Sequence, residues 1–113
     1  MKEFMVAANE TNVKFFSILE HQSVLTLHNA HSDNVKKVAY FGDHQIVSAS
    51  ADRTVKVWDL RNPTEALSSV RLAHGIEDFC ALGGGFVVAN GPILTLLKIN
   101  GSEITRTADY QSF

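Results

Sequence analysis

His31, Ser48 and Asp52 are the three side-chain types of a hydrolase triad: a hydroxyl to attack, an imidazole to take its proton and a carboxylate to hold the imidazole. Such a site also needs an oxyanion hole and a substrate pocket. Nothing in the sequence marks either, so no catalytic residue is assigned and a hydrolase is the least favoured class. His28 and His31 are three apart, with His21 and His44 scattered on either side. They lack the Cys or carboxylate partners and the tighter spacing of zinc sites, so no metal or other cofactor is expected. The run Gly83, Gly84, Gly85 lacks the Lys-Ser/Thr and the helix of a phosphate loop, and reads as a hairpin turn.

The elements that must position these residues are strands. Short β-branched and aromatic runs are bounded by turn signals such as Gly42-Asp43, Asn62-Pro63 and Asn90-Gly91-Pro92, and no segment shows a helical period. The chain also repeats itself. Val13-Lys14-Phe15-Phe16 lies over Val55-Lys56-Val57-Trp58 at a shift of 42, and 93–97 lies over 54–58 at a shift of 39. His31, Val35, Val38 and Ala39 are echoed by His74, Ile76, Phe79 and Cys80. A period of about 40 with four strands is the mark of a propeller array. The expected strands are 4–8, 13–19 and 23–27, then 35–41, 45–50, 54–60 and 66–72, then 76–82, 86–89, 93–99 and 103–107.

The stretch 30–61 carries the fullest unit: Ala30-His31-Ser32-Asp33-Asn34-Val35 at its start and Ser48-Ala49-Ser50-Ala51-Asp52-Arg53-Thr54-Val55-Lys56-Val57-Trp58-Asp59-Leu60-Arg61 at its end. It resembles a WD repeat, whose signature is a Gly-His and a Trp-Asp in a unit of 40 to 45 residues. Ala30 stands where that family has Gly. The resemblance implies an all-β fold, a partial WD40 β-propeller of about two and a half to three four-stranded antiparallel blades: a blade remnant over 1–29, a full blade over 30–73 and a divergent blade over 74–113. Propellers close with four or more blades, so the ring is expected to be completed by a longer chain, by further copies or by another protein.

The resemblance also assigns roles. In WD families the His before the first strand, a Ser or Thr of the second, the Asp of the tight turn and the Trp of the third hydrogen-bond to one another. Here these are His31, Ser48, Asp52 and Trp58, with Ser50 a competing candidate on the same strand face. Loops on one rim of such a fold should present Asp33, Asn34 and Arg53 to partners, while Arg61 and 42–44 lie at the opposite rim.

Within the family, His74-Gly75-Ile76-Glu77-Asp78 followed by Gly84-Gly85-Phe86-Val87-Val88-Ala89 is similar to the small-nucleolar-RNA-associated WD proteins of the small-subunit processome, specifically the fifteenth-numbered subunit type. That similarity implies a scaffold for pre-rRNA processing and ribosome biogenesis in the nucleolus or nucleus, touching RNA only indirectly; other WD platforms would be cytoplasmic. Leu97-Lys98 departs from it, standing where that type keeps Trp-Asp. The alternative comes from 46–61, ending Trp58-Asp59-Leu60-Arg61, which resembles the box by which WD substrate receptors dock on the adaptor of a cullin-RING ubiquitin ligase, with Arg61 as contact.

The bulk numbers agree with a binding platform. The chain has 113 residues, 45% hydrophobic and 19% charged, and a net charge of −2. Around the repeat Lys36, Lys37, Arg53, Lys56 and Arg61 face Asp33, Asp43, Asp52 and Asp59, which gives no basic face for a phosphate backbone. A lone Cys80 excludes an internal disulfide. The uncharged stretch 79–97 is interrupted by glycines, Asn90 and Pro92, so it reads as two strands and not as a membrane span. The partners expected are other proteins of a multi-subunit complex, or further copies of the chain.

Overall fold

The structure, a computed structural model, describes residues 4–17, 22–40, 45–62, 64–82, 85–100 and 103–111. Among them eleven strands form three antiparallel sheets. The first holds β1 (Phe4–Asn9), β2 (Asn12–Ser17) and β3 (Gln22–Leu27). The second holds β4 (Val35–Tyr40), β5 (Gln45–Ser50), β6 (Thr54–Asp59) and β7 (Ser68–Arg71). The third holds β8 (Ile76–Leu82), β9 (Gly85–Asn90), β10 (Ile93–Asn100) and β11 (Glu103–Gln111).

Each sheet is a meander in sequence order, the arrangement that short turns between antiparallel strands produce. Most strand ends fall within two residues of their expected bounds, and two strands differ in length by more than that. β7 is shorter than 66–72, because its flanks bend away after single bonds, Leu67 N–H to Val57 O and Leu72 N–H to Arg53 O. β11 is longer than 103–107, because a bulge at Leu96/Leu97 resets the register and lets pairing run on to Ile93↔Gln111. The expected turns at 42–44 and 83–84, with His21 and His44, lie outside the described residues.

The sheets stack face to face, with the second in the middle. On β5, Ile46 joins Val13, Phe15, Leu27, Val35 and Trp58 in a core against the first sheet. Its alternate residues Val47 and Ala49 join Val55, Val57, Phe79, Phe86, Val88 and Leu97 in a core against the third. A strand alternates its side chains between faces, so β5 is buried on both. Its sequence Gln-Ile-Val-Ser-Ala-Ser accordingly carries small or apolar residues with hydroxyls, and no charge.

Neighbouring sheets are stitched at the backbone. The β1–β2 turn accepts two bonds from the connector into β4: His31 N–H to Thr11 O at 3.3 Å and Val35 N–H to Glu10 O at 2.6 Å. At the next junction Gly75 lies so close to the β5–β6 turn that a Cβ there would stand 2.9 Å from the Ala51 carbonyl oxygen. Lys37 of β4 reaches Asp78 of β8 at 3.0 Å, with its ammonium 5.4 Å from the centre of the Phe79 ring.

Candidate functional site

His31 enters from the connector between β3 and β4. Asn29, in the left-handed region at φ 51°, turns the chain, and Asn12 Oδ1 accepts its N–H at 2.8 Å. The imidazole is thereby driven between the first two sheets, where the residue is 2% exposed. Asp52 arrives on the opposite side, in the three-residue turn between β5 and β6. Arg53 N–H bonds back to Ser50 O, and Arg53 takes φ 75°. A tight turn followed by one left-handed residue is a common way to close a hairpin of this length, and it aims the Asp52 carboxylate inward.

The four residues assigned to a network meet. His31 Nδ1 lies 2.9 Å from Asp52 Oδ2, and His31 Nε2 lies 2.7 Å from Ser48 Oγ. The Trp58 indole N–H donates to that same Ser48 oxygen at 2.8 Å. One proton arrangement satisfies all of it: Nδ1–H donates to Asp52, the Ser48 O–H donates to Nε2, and the Ser48 lone pair receives the indole. Thr54 is a fifth member. Its hydroxyl lies 2.9 Å from His31 Nδ1 and donates to Asp52 Oδ1. A threonine in a strand reads simply as a β-former, so sequence gave no signal for this role.

The electrostatics follow from the geometry. Burial pushes the His31 pKa below its ordinary 6.5, outweighing the pull of Asp52, and leaves the ring neutral. Burial alone would raise Asp52, but the Thr54 hydroxyl and the Thr54 and Ser32 N–H groups donate to it and bring it down to about 2.

This arrangement contains the atoms of a triad, built into the packed interior between two sheets. Ser48 is fully buried, and its oxygen already accepts the Trp58 proton. An attacking hydroxyl must lie within reach of a substrate carbonyl, and a hydroxyl fully enclosed by the packed sheets does not. Ser50, the competing serine on the same face, has other partners: its hydroxyl reaches the carbonyls of Asp33 and Asn34 at 3.0 and 2.8 Å and accepts Asp52 N–H. It ties the turn to the connector.

The other sheets do not repeat the network. In the third, His74 is exposed, Leu97 sits in the apolar core where its counterpart is Trp58, and a different polar chain runs from buried Asn90 and Thr95 out to exposed Asp109: Asn90 Nδ2 donates to Thr95 Oγ1 at 3.0 Å, and Thr95 Oγ1 donates to Asp109 Oδ1 at 2.7 Å. No motif signals that chain. In the first sheet the side chain of Phe16 lies outside what the structure describes.

Asp33, Asn34 and Arg53 are exposed and gathered at one rim, joined through Ser50 Oγ to Asp33 O and through Ala51 N–H to Asn34 O. Arg61 lies beyond the other end of β6. It is clamped to Asp59 two residues before it, Nε to Oδ1 at 3.0 Å and Nη2 to Oδ2 at 2.8 Å, while its side chain stays 67% exposed. Of the expected histidines, His28 is exposed and His31 is committed to the network, and among the described residues no three His, Cys, Asp or Glu side chains converge as a metal site requires.

Residues 21–59 match the family model for the WD domain, G-beta repeat. The chain is 29% identical over 79 residues to WD repeat-containing protein 37 of Xenopus laevis, covering 67% of this chain and 16% of that one. It is 35% identical over 65 residues to the target of rapamycin complex subunit wat1 of Schizosaccharomyces pombe, covering 56% and 21%. It is 32% identical over 70 residues to DDB1- and CUL4-associated factor 10 of Xenopus tropicalis, covering 62% and 15%. The chain thus spans no more than 21% of the length of any of these three relatives. Among solved structures, the β-propeller domain of Myceliophteria thermophila Cps50 (Swd1) superposes with a TM-score of 0.77 at 17% identity, covering 93% of this chain and 35% of that one. Residues 21–59 thus match a WD repeat, and the chain has the fold of part of a β-propeller.

Proposed function

We propose that this WD-repeat propeller segment is a non-catalytic scaffold that holds other proteins in a multi-subunit complex. The observation that carries this is the consumption of every polar atom of the Ser48–His31–Asp52 group inside the sheet stack. What remains at the surface is a set of polar side chains on rigid turns: Asp33, Asn34 and Arg53 at one rim and Arg61 at the other. Such positions on a packed scaffold are where binding residues gather.

Two complexes are in view. The similarity of 74–89 to processome WD subunits supports a scaffold for pre-rRNA processing, in the nucleolus and with RNA touched only through partners. The other is a cullin-RING ubiquitin ligase, favoured by a specific observation. Arg61 is pre-oriented by its two bonds to Asp59 and still projects into solvent, as a docking arginine of a Trp-Asp-x-Arg box would need. A relative named for association with DDB1 and CUL4 fits that reading. Self-association of the same scaffold would draw on the outward face of the third sheet, where Leu94 is 43% exposed beside Leu96 and Ala89.

Affinity purification of the full protein with Arg61→Asp beside the wild type tests both. Loss of a ligase adaptor in the variant selects the ligase; recovery of pre-rRNA processing factors by both forms selects the processome. Recovery of no protein above background, together with hydrolytic turnover that His31→Ala abolishes without loss of folding, would overturn the scaffold itself.

A further inference from the structure

On the outer side of His31, the first and second sheets part to leave a cleft of about 510 Å³. Its floor is set by strand register. Thr54 pairs with Arg71 and Lys56 with Ser69 across β6 and β7, so Lys56 and Arg71 are diagonal neighbours on one face, about 7–8 Å apart at the backbone. Both side chains line the cleft, with Ser69, and Thr11, Asn29 and Ser32 form its other wall.

The charge balance of this cleft is positive. Asp52 also borders it, but both carboxylate oxygens are filled, by His31 Nδ1 and Ser32 N–H on one and by Thr54 N–H and Oγ1–H on the other. His31 is held neutral. The Lys56 ammonium uses one N–H on the Ala30 carbonyl at 2.9 Å and has two left. The Arg71 side chain is exposed, and its guanidinium has no hydrogen bond or ion pair among the described residues. Arg106 adds a third cation at the same edge, reaching the Arg71 carbonyl at 3.0 Å, with Asp109 3.9 Å away as its loose counter-ion. Two cations, the Ser32 and Ser69 hydroxyls and the Asn29 amide converge from two walls, the Thr11 hydroxyl being spent on Asn29 Oδ1; this set suits a tetrahedral dianion, which offers three strong acceptor oxygens. A planar carboxylate would leave part of that donor set unused.

A second hollow of about 390 Å³ adjoins the first and shares Asn29 and Lys56 with it. It has an apolar side, Leu27, Trp58 and Ala66, and one acid, Glu65. Lys56 bridges to Ala30 at the shared boundary. The pair therefore offers an anion seat followed by an apolar seat, the chemistry of a peptide with a phosphorylated residue next to a hydrophobic one. Glu65 disfavours a run of phosphates, and the chain's net charge of −2 disfavours an anionic membrane surface.

We infer that this two-part cleft on the side of the stack recognises a phosphoserine or phosphothreonine segment of a partner protein, with the phosphate between Lys56 and Arg71 and the adjoining apolar side chain against Trp58 and Ala66. The inference rests on the scaffold reading and gives it one class of partner.

The test is binding of the full protein to a degenerate phosphoserine peptide library and its unphosphorylated counterpart. Wild type should retain the phosphorylated pool at least tenfold better. Arg71→Glu, an exposed change whose folding is checked by melting, should remove that preference, and Lys56→Gln should weaken it. Equal retention of both pools, or a preference untouched by Arg71→Glu, overturns the inference. So does inorganic phosphate binding as tightly as the peptide pool, and so does Arg71-dependent capture of vesicles carrying phosphorylated inositol lipid without any peptide preference. Partners that co-purify with the full protein equally well after phosphatase treatment would leave the scaffold standing while removing this site.

Discussion

The Ser48 hydroxyl receives the Trp58 indole proton at 2.8 Å while lying 2.7 Å from His31 Nε2. A serine in that position is a relay between two buried rings, one on β6 and one on the connector. Substituting Ser48→Ala orphans two buried groups at once, the indole N–H and the imidazole Nε2. Leaving such groups unmet costs about 1–3 kcal/mol. Urea unfolding of Ser48→Ala should show a loss in that range, and a loss below about 0.5 kcal/mol, the size expected of an ordinary surface change, would speak against the relay.

Ser50→Ala separates the two serines. Its hydroxyl holds the carbonyls of Asp33 and Asn34, so its removal should loosen the connector. Amide hydrogen exchange should quicken at 32–35 in this variant. Trp58 fluorescence should change in Ser48→Ala and stay close to wild type in Ser50→Ala; the reverse pattern would reassign the serines.

Stability should depend on pH in two windows, both lost toward acid. His31 is depressed by burial, so the unfolded chain takes up its proton near 6.5 while the folded chain resists; this contribution is complete above about 6.5 and declines below it. Asp52 is held at about 2 against an ordinary 3.8, so its contribution is complete above the unfolded value and disappears as pH falls through about 2. The Asp52 shift corresponds to about 2 kcal/mol. Melting temperatures from pH 8 to pH 2 should fall in both windows, and His31→Gln should erase the upper one only.

Gly91 opens the β9–β10 turn at φ 58°, and an added Cβ would stand 2.7 Å from the His74 ring. Gly91→Ala should therefore destabilise by about 1–2 kcal/mol from the left-handed backbone alone, with a further steric part. Pairing it with His74→Ala should recover the steric part and leave the backbone part, as differential unfolding of the two variants would show.

Much of this was legible beforehand, for reasons that differ by residue. His31, Asp52 and Trp58 could be placed because their spacing repeats a known blade, and the β5 run 45–50 because it is an uncharged run next to turn signals. The choice between Ser48 and Ser50 was not legible. Both point to one face, and only the register, which carries Ser50 to the strand end beside Asp33 and Asn34, distinguishes them. Thr54 was hidden because its role comes from the turn that brings it two residues past Asp52. The Asn90–Thr95–Asp109 chain was hidden because it spans three strands and depends on pairing through the β10 bulge. The Lys56–Arg71 diagonal likewise exists only once β6 and β7 are in register.

The central claim is that a Ser–His–Asp constellation serves here as one continuous structural network running from Asp52 to Trp58. A double-mutant cycle on equilibrium unfolding, with His31→Ala, Trp58→Phe and the pair, measures it most directly. The two residues are joined through Ser48, so the network predicts a coupling of about 0.5–3 kcal/mol between them. Additive losses within about 0.3 kcal/mol, or a His31→Ala variant as stable as the wild type, would contradict it.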